Sequence, residues 1–202
     1  LAIATEGKDL DLQCILAPAM NLHRNPLGGR NFEYLSEDPL LSGELSSYIC
    51  LGAISGGVYC YLKHFAADEN ETGENSQYHW MTEQALREIY AKPFEIAIKK
   101  AKVNAIMASK NRIGSVRASG STSLLQSLLR DEWGFEGCVI SDYYVSGNTN
   151  DADEAIRAGC DLTLEGTAKV VFDDTASATF EIALQQAAKN AIYTYCSTMA
   201  RA

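Results

Sequence analysis

An α/β fold built on a parallel sheet is what this sequence predicts, and three observations carry that expectation. Short apolar runs alternate along the chain with longer stretches of helical periodicity. The runs give way to turn residues, such as Asn25, Pro26, Gly28 and Gly29 after the first of them. One run, within GFEGCVISDYY (134 to 144), stops abruptly at Asp142, as a buried parallel strand does when it delivers a carboxylate to the rim of a sheet.

Taken in order, CILAPAM (14 to 20) is the first strand and feeds the loop NLHRNPLGGR. The stretch 36 to 55 reads as helix, because Ser36 and acidic residues open it, apolar positions recur at helical spacing and Gly56-Gly57 stop it. VYCYLKHF (58 to 65) is the second strand, and the polar loop AADENETGENSQYHW after it is long enough to be functional. Residues 81 to 102 are helical on the spacing of Ala85, Leu86, Ile89, Tyr90, Phe94 and Ile98, with Pro93 predicting a break or kink. VNAIMAS (103 to 109) is the third strand, stopped by KNRIGSVRASGS; LLQSLLRDEWGF is a helix closed at Gly134; and Cys138, Val139 and Ile140 form the fourth strand. DADEAIRAG leads to a fifth strand-like run, CDLTLE (160 to 165). The last helix, about Thr179 to Met199, places Phe180, Leu184, Ala188, Ile192 and Tyr195 on one face, expected to be its packing surface.

Composition narrows the function classes. With 202 residues and 47% hydrophobic content, the chain suits one domain or a large piece of one. A net charge of -9 with no basic stripe argues against nucleic acid. No apolar run reaches the ~18 residues of a membrane span, and LAIATEGKDL lacks a signal-peptide pattern, so neither a membrane partner nor export is expected. The six cysteines include no CxxC pair and read as buried free thiols, which implies a reducing, cytoplasmic setting without metal or disulfide. No cofactor motif is found; the GGR loop lacks the spacing of a phosphate-binding glycine motif. The missing initiator Met suggests an N-terminus upstream of Leu1.

Strand-helix alternation implies right-handed crossovers, so all strand C-termini share one edge. Converging there are Asn21 to Arg30, Lys63 and His64, Ser109 and Lys110, Asp142, and Glu165. Five strands cannot close an eight-stranded barrel, so either the sheet is open or the chain is part of a larger barrel. Asp142 alone could be a helix N-cap, but a cation beside it keeps a carboxylate ionised, and Lys63 and His64 supply donors for hydroxyl-rich ligands. Arg30 has a planar fork suited to adjacent hydroxyls or a carboxylate, and could equally brace Glu33 or Glu37. Tyr143 and Tyr144 could offer an aromatic face to a sugar ring or pack in the core. Trp133 fits a contact at a helix end, and His23 and His79, in loops, receive no role.

The runs APAMNLHRNPLGGRNFEYLSEDP, YLKHFAADENET, EQALREIYAKPFEIAIKKA and LLRDEWGFEGCVISDYY, with AIRAGCDLTLE more weakly, resemble glycoside hydrolase family 3, the β-glucosidase-like enzymes. They are collinear over most of residues 14 to 165. The resemblance implies a partial (β/α)₈ TIM-type barrel, with residues 1–202 a single, incomplete catalytic domain, its N-terminal strands missing, and ~176–202 a C-terminal helix. It implies a retaining exo-acting β-glycosidase in which Asp142 is the nucleophile, Arg30, Lys63 and His64 hold hydroxyls of the sugar, and Met107 and Tyr143 line the pocket. The acid/base is not assignable here and is implied to come from an α/β-sandwich domain or a second chain; the tail IALQQAAKNAIYTYCSTMARA looks like that of the subgroup in which the sandwich precedes the barrel. Three departures stand out: the family's DGP-like segment, whose Asp grips the sugar, lies before the stretch where this chain begins; Lys110 stands where the family usually has Tyr; and Tyr143 stands where Trp is common. Lys110 motivates an alternative, a catalytically silent sugar-binding module. A Schiff-base lyase using Lys63 is a third reading.

Overall fold

The computed structural model describes residues 1–73, 76–144, 152–166 and 169–199, the side chains of Tyr144, Thr198 and Met199 excepted. Asp151 at the head of the DADEAIRAG run and the last three residues of the tail lie outside the described residues. The elements run α1 (Ala2–Asp9), β1 (Cys14–Ile15), α2 (Pro39–Ser55), β2 (Tyr59–Cys60), β3 (Leu62–Phe65), β4 (Tyr78–His79), α3 (Glu83–Ala85) continuing as a π-helix (Leu86–Tyr90), and α4 (Lys92–Ala101). There follow β5 (Ala105–Ala108), β6 (Arg112–Ile113), β7 (Val116–Arg117), a second π-helix (Ser123–Glu132), β8 (Cys138–Tyr144), α5 (Ala152–Ala158), β9 (Leu162–Glu165) and α6 (Ala178–Met199).

The five expected strands form, and they pair in the order in which they occur in the chain. β1 pairs β2 in parallel, and a bridge from Ala19 to Lys63 carries that pairing onto β3. β3, β5, β8 and β9 then lie side by side, all parallel. A doubly wound open sheet reverses its strand order at a switch point; this one does not. Alternate residues of each strand face opposite sides. Ile106, Ala108 and Val139 join Phe94 and Ala97 of α4 and Leu125, Leu129 and Trp133 in the larger core, each large buried side chain contributing about 1.5–3 kcal/mol. Ala105, Met107, Cys138 and Ile140 face the other way, with Tyr61 and, at the margin, Ala191 of α6.

Local sequence explains the helix boundaries. Asp38 caps α2 by accepting from the Leu40 and Leu41 N–H groups, and Ser36 accepts from the Asp38 N–H in turn. Pro93 breaks the 81–102 helix as expected: a π-helical turn precedes it and α4 starts afresh with Pro93 in its first turn, where a missing N–H costs nothing. α2 and α4 approach closely at Gly43, where a Cβ would lie 2.9 Å from Ile96. Gly134 ends the second π-helix in the left-handed region (φ 71°) and donates to Arg130 O.

Three features differ from the sequence expectation. α1 was not foreseen; it is short and buries only Ala4 and Gly7. The loops after β3 and β5 are joined by a small ribbon, β4 parallel to β6 and β6 antiparallel to β7, whose two-residue strands carry no alternation to read. The packing face of α6 is also corrected: Leu184, Ile192 and Tyr195 are exposed, whereas Phe180, Ala187, Asn190 and Thr194 are buried. The Thr194 hydroxyl donates to Asn104 O and accepts the Cys138 N–H, so hydrogen bonding at the sheet margin, not apolar periodicity, orients the helix. Among the described residues no helix is long and apolar enough to cross a membrane. Four of the cysteines are buried free thiols, Cys14 is half-buried, and Cys196 is exposed on α6, contrary to its expected burial.

Candidate active site

β3 and β8 bring their polar ends together at the C-terminal edge of the sheet. Asp142 is buried on β8, 6% exposed. Its two oxygens are treated differently. Oδ1 accepts the Tyr143 N–H (2.6 Å) and lies 3.7 Å from Lys110 Nζ. Oδ2 accepts no hydrogen bond among the described residues and lies 3.9 Å from His64 Nε2. A buried carboxylate oxygen left without a donor is costly, and such costs persist where function requires them.

His64 is fixed from several sides. Asn21 clamps its backbone, accepting the His64 N–H (2.8 Å) and donating to His64 O (3.0 Å). Arg30 NH2 donates to His64 Nε2 (2.9 Å). A guanidinium only donates, so Nε2 is the acceptor and Nδ1 carries the proton, directed at Asn21 Oδ1 (3.2 Å). Burial, with the positive charges of Arg30, Lys63 and Lys110, holds the His64 pKa well below the usual imidazole range. The ring is a neutral hydrogen-bonding group.

Glu33 connects the cations. Its Oε1 accepts from Arg30 Nε (2.6 Å) and its Oε2 faces Lys63 Nζ at 3.0 Å. Burial would raise its carboxyl, but the Lys63 and Arg30 bonds outweigh that and lower it. Burial would likewise lower the Arg30 pKa, and Glu33 reverses this. Arg30 therefore braces Glu33, one of its two expected carboxylates, and also reaches Glu71 (3.5 Å) and Asp68 (4.0 Å). The result is one chain of alternating charge, Lys63–Glu33–Arg30, ending on the neutral His64 ring beside Asp142.

Of the other expected residues, Met107 is buried beside Ile140, its partner in the β5–β8 register. Tyr143 gives its backbone N–H to Asp142, and the residue is 45% exposed. Ser109 turns back to Ala66 O. Glu165 is outside the cluster and accepts from Val170 N–H. Trp133 packs on Phe65, ring centroids 5.8 Å apart, as a helix-end contact should. His23 bonds the backbone carbonyls of Asn31 and Tyr34.

Asp68 and Glu69 were not singled out in the sequence, and Asn21, placed at the sheet edge, was given no role of its own. The available signal for the acids was their position, directly after a strand and four or five residues beyond His64. His64, Asp68 and Asp142 hold ligand atoms within 4.8 Å of one another. Yet His64 Nε2 is already taken by a guanidinium, so this donor set suits cationic side chains better than a metal ion. Glu69 accepts from Leu22 N–H (3.4 Å), and burial pushes its carboxyl up to about 7 against the pull of Leu22 and Asn21. Its neutral form favours folding, so the stability it contributes is present below the unfolded value of about 4.5 and lost as pH rises through about 7. Urea unfolding at pH 5 and pH 8 is expected to show Glu69→Gln gaining on the wild type at the higher pH, by on the order of 3 kcal/mol. A pH-independent difference between the two would refute this coupling.

The fold and these motifs have close relatives. The glycosyl hydrolase family 3 N terminal domain matches residues 1–195. The chain belongs to glycosyl hydrolase family 3. Family 3 relatives include beta-glucosidase B of Emericella nidulans, 44% identical over 165 residues (82% of this chain, 19% of that protein). A beta-glucosidase of Rhizobium radiobacter is 42% identical over 166 residues (82% and 20%). Beta-glucosidase 3B from Thermotoga neapolitana, solved in complex with glucose, superposes with a TM-score of 0.87 at 38% identity, covering 99% of this chain and 30% of that one. The family 3 match thus extends from the first residue into α6, while the chain spans about a fifth of the length of these curated relatives.

Proposed function

We propose that this chain is the C-terminal part of a family 3 catalytic (β/α)₈ barrel, belonging to a retaining, exo-acting β-glucosidase that removes terminal β-linked glucose-type residues. The observation that carries the reading is Asp142 Oδ2, a buried carboxylate oxygen with no hydrogen-bond donor, beside the His64–Arg30–Glu33–Lys63 network. The sequential strand order and the glucose bound by the Thermotoga relative support it.

In this mechanism Asp142 attacks the anomeric carbon and forms a glycosyl-enzyme, which water then hydrolyses with retention of configuration. Lys63, Arg30 and neutral His64 bind the sugar hydroxyls, each able to offer or redirect a donor without changing protonation. Met107 and Tyr143 shape the walls. The acid that protonates the departing oxygen sits about 5–5.5 Å from the nucleophile in a retaining enzyme. We assign it to a sandwich domain preceding the barrel, or to a second chain. The buried thiols favour a reducing, cytoplasmic location.

Incubation with a 2-deoxy-2-fluoro-β-glucoside, followed by peptide mapping, is expected to find the sugar on Asp142. Label on any other residue sinks the assignment.

A further inference from the structure

The surroundings of Asp142 divide its two oxygens between two tasks. In a double displacement one carboxylate oxygen bonds the anomeric carbon; the other becomes the carbonyl oxygen of the glycosyl ester and shares the returning charge when the ester breaks. Among the described residues Oδ2 has no donor to surrender, and it is available for attack. Oδ1 is engaged by the Tyr143 N–H and faces the Lys110 ammonium.

Lys110 is held in place. Its carbonyl accepts from Arg117 (2.8 Å), and its neighbours Ser109 and Asn111 both bond Ala66 O. Its side chain is only 14% exposed, so its charge is poorly screened by solvent.

We propose that Asp142 attacks through Oδ2, and that Lys110, acting on Oδ1, stabilises the carboxylate as the leaving group when the glycosyl-enzyme is hydrolysed. This rests on the reading of Asp142 as nucleophile. In the first step a lone pair on Oδ2 forms the bond to the anomeric carbon, and the bond to the leaving group breaks with its electrons. The negative charge that Lys110 stabilises is then consumed, so the cation favours the ground state and does not speed attack. In the second step water bonds the anomeric carbon and gives its proton to the group that had protonated the aglycone. The ester C–O electrons return to Asp142, and the ammonium meets charge that is developing in the transition state. Lys110 therefore separates the two half-reactions.

The test uses the native protein with 2-deoxy-2-fluoro-β-glucosyl fluoride, whose fluoride leaves without an acid. Lys110→Met is expected to be inactivated at least as fast as the wild type, since that step consumes the negative charge that the cation stabilises. Reactivation of the isolated glycosyl-enzyme should slow by about 10²–10³-fold, as for loss of one oxyanion donor. Lys110→Arg should recover most of the reactivation rate, and Lys110→Gln serves as a second neutral variant should the Met protein fold poorly. Reactivation equal to the wild type, or an equal slowing of both steps, overturns the role given to Lys110 while label on Asp142 preserves the nucleophile. Wild-type label elsewhere overturns both.

Discussion

Asp142→Ala is expected to lower the hydrolysis of aryl β-glucosides by about 10⁴-fold or more, the scale of losing a covalent nucleophile, without lowering the thermal midpoint of unfolding. The two halves of that result have one cause. The native carboxylate is buried, and its Oδ2 has no donor among the described residues, so the fold gains little from keeping it there. Removing the carboxylate gives up no hydrogen bond at Oδ2, and takes a buried charge with its desolvation cost out of the fold along with the 3.7 Å Lys110 pair. A structural Asp would behave in the opposite way, losing stability first and activity through it. Azide supplies a further readout: in the space vacated by the carboxylate it can attack from the same face, giving an α-glucosyl azide from an activated substrate. Retention of more than a hundredth of the wild-type rate, or a large drop in melting temperature, would speak for a cap or packing role instead.

The second large effect concerns stability. Asp161 accepts from Arg130 NH2 (2.7 Å), the Val139 N–H (2.7 Å) and Asn190 (2.8 Å), and its side chain is 2% exposed. Arg130 also donates to Gly137 O and Gly159 O. Cutting this junction with Asp161→Ala leaves a buried guanidinium without its counter-charge, and about 3–5 kcal/mol of unfolding free energy is expected to be lost. The exposed Arg87–Glu132 pair, with side chains 38% and 51% accessible, is the contrasting case. Arg87→Ala should cost less than about 1 kcal/mol. Denaturant midpoints at constant slope distinguish the two, and equal losses would mean that burial is not what sets the difference.

What could be read from the sequence, and what could not, follows the range of the interactions involved. β5 and β8 were legible because they are continuous apolar runs closed by polar residues, and the break at Pro93 because proline lacks an N–H. Convergence of Lys63, His64 and Asp142 followed from parallel topology alone, although the Glu33 and Arg30 contacts that link Lys63 to His64 did not. Asn21 engages His64 across 43 positions, a pairing no local pattern encodes. Glu33 was visible as a possible partner of Arg30, being three residues away, but its simultaneous hold on Lys63 was not. α6 was misjudged for a related reason: its anchoring residues, Asn190 and Thr194, are polar and are buried because of what they bond.

That helix has a consequence for how the protein is made. The Cys138 N–H, at the root of the strand that carries Asp142, is met by a hydroxyl supplied 56 positions later, and Asn104 O is met by the same group. A chain emerging from the ribosome can lay down every strand of the sheet and still lack this closure until Thr194 is out of the exit tunnel. The strand that carries Asp142 is thus pinned at its root only once Thr194 has emerged, and a chain stalled before that point holds Asp142 on an unfinished scaffold.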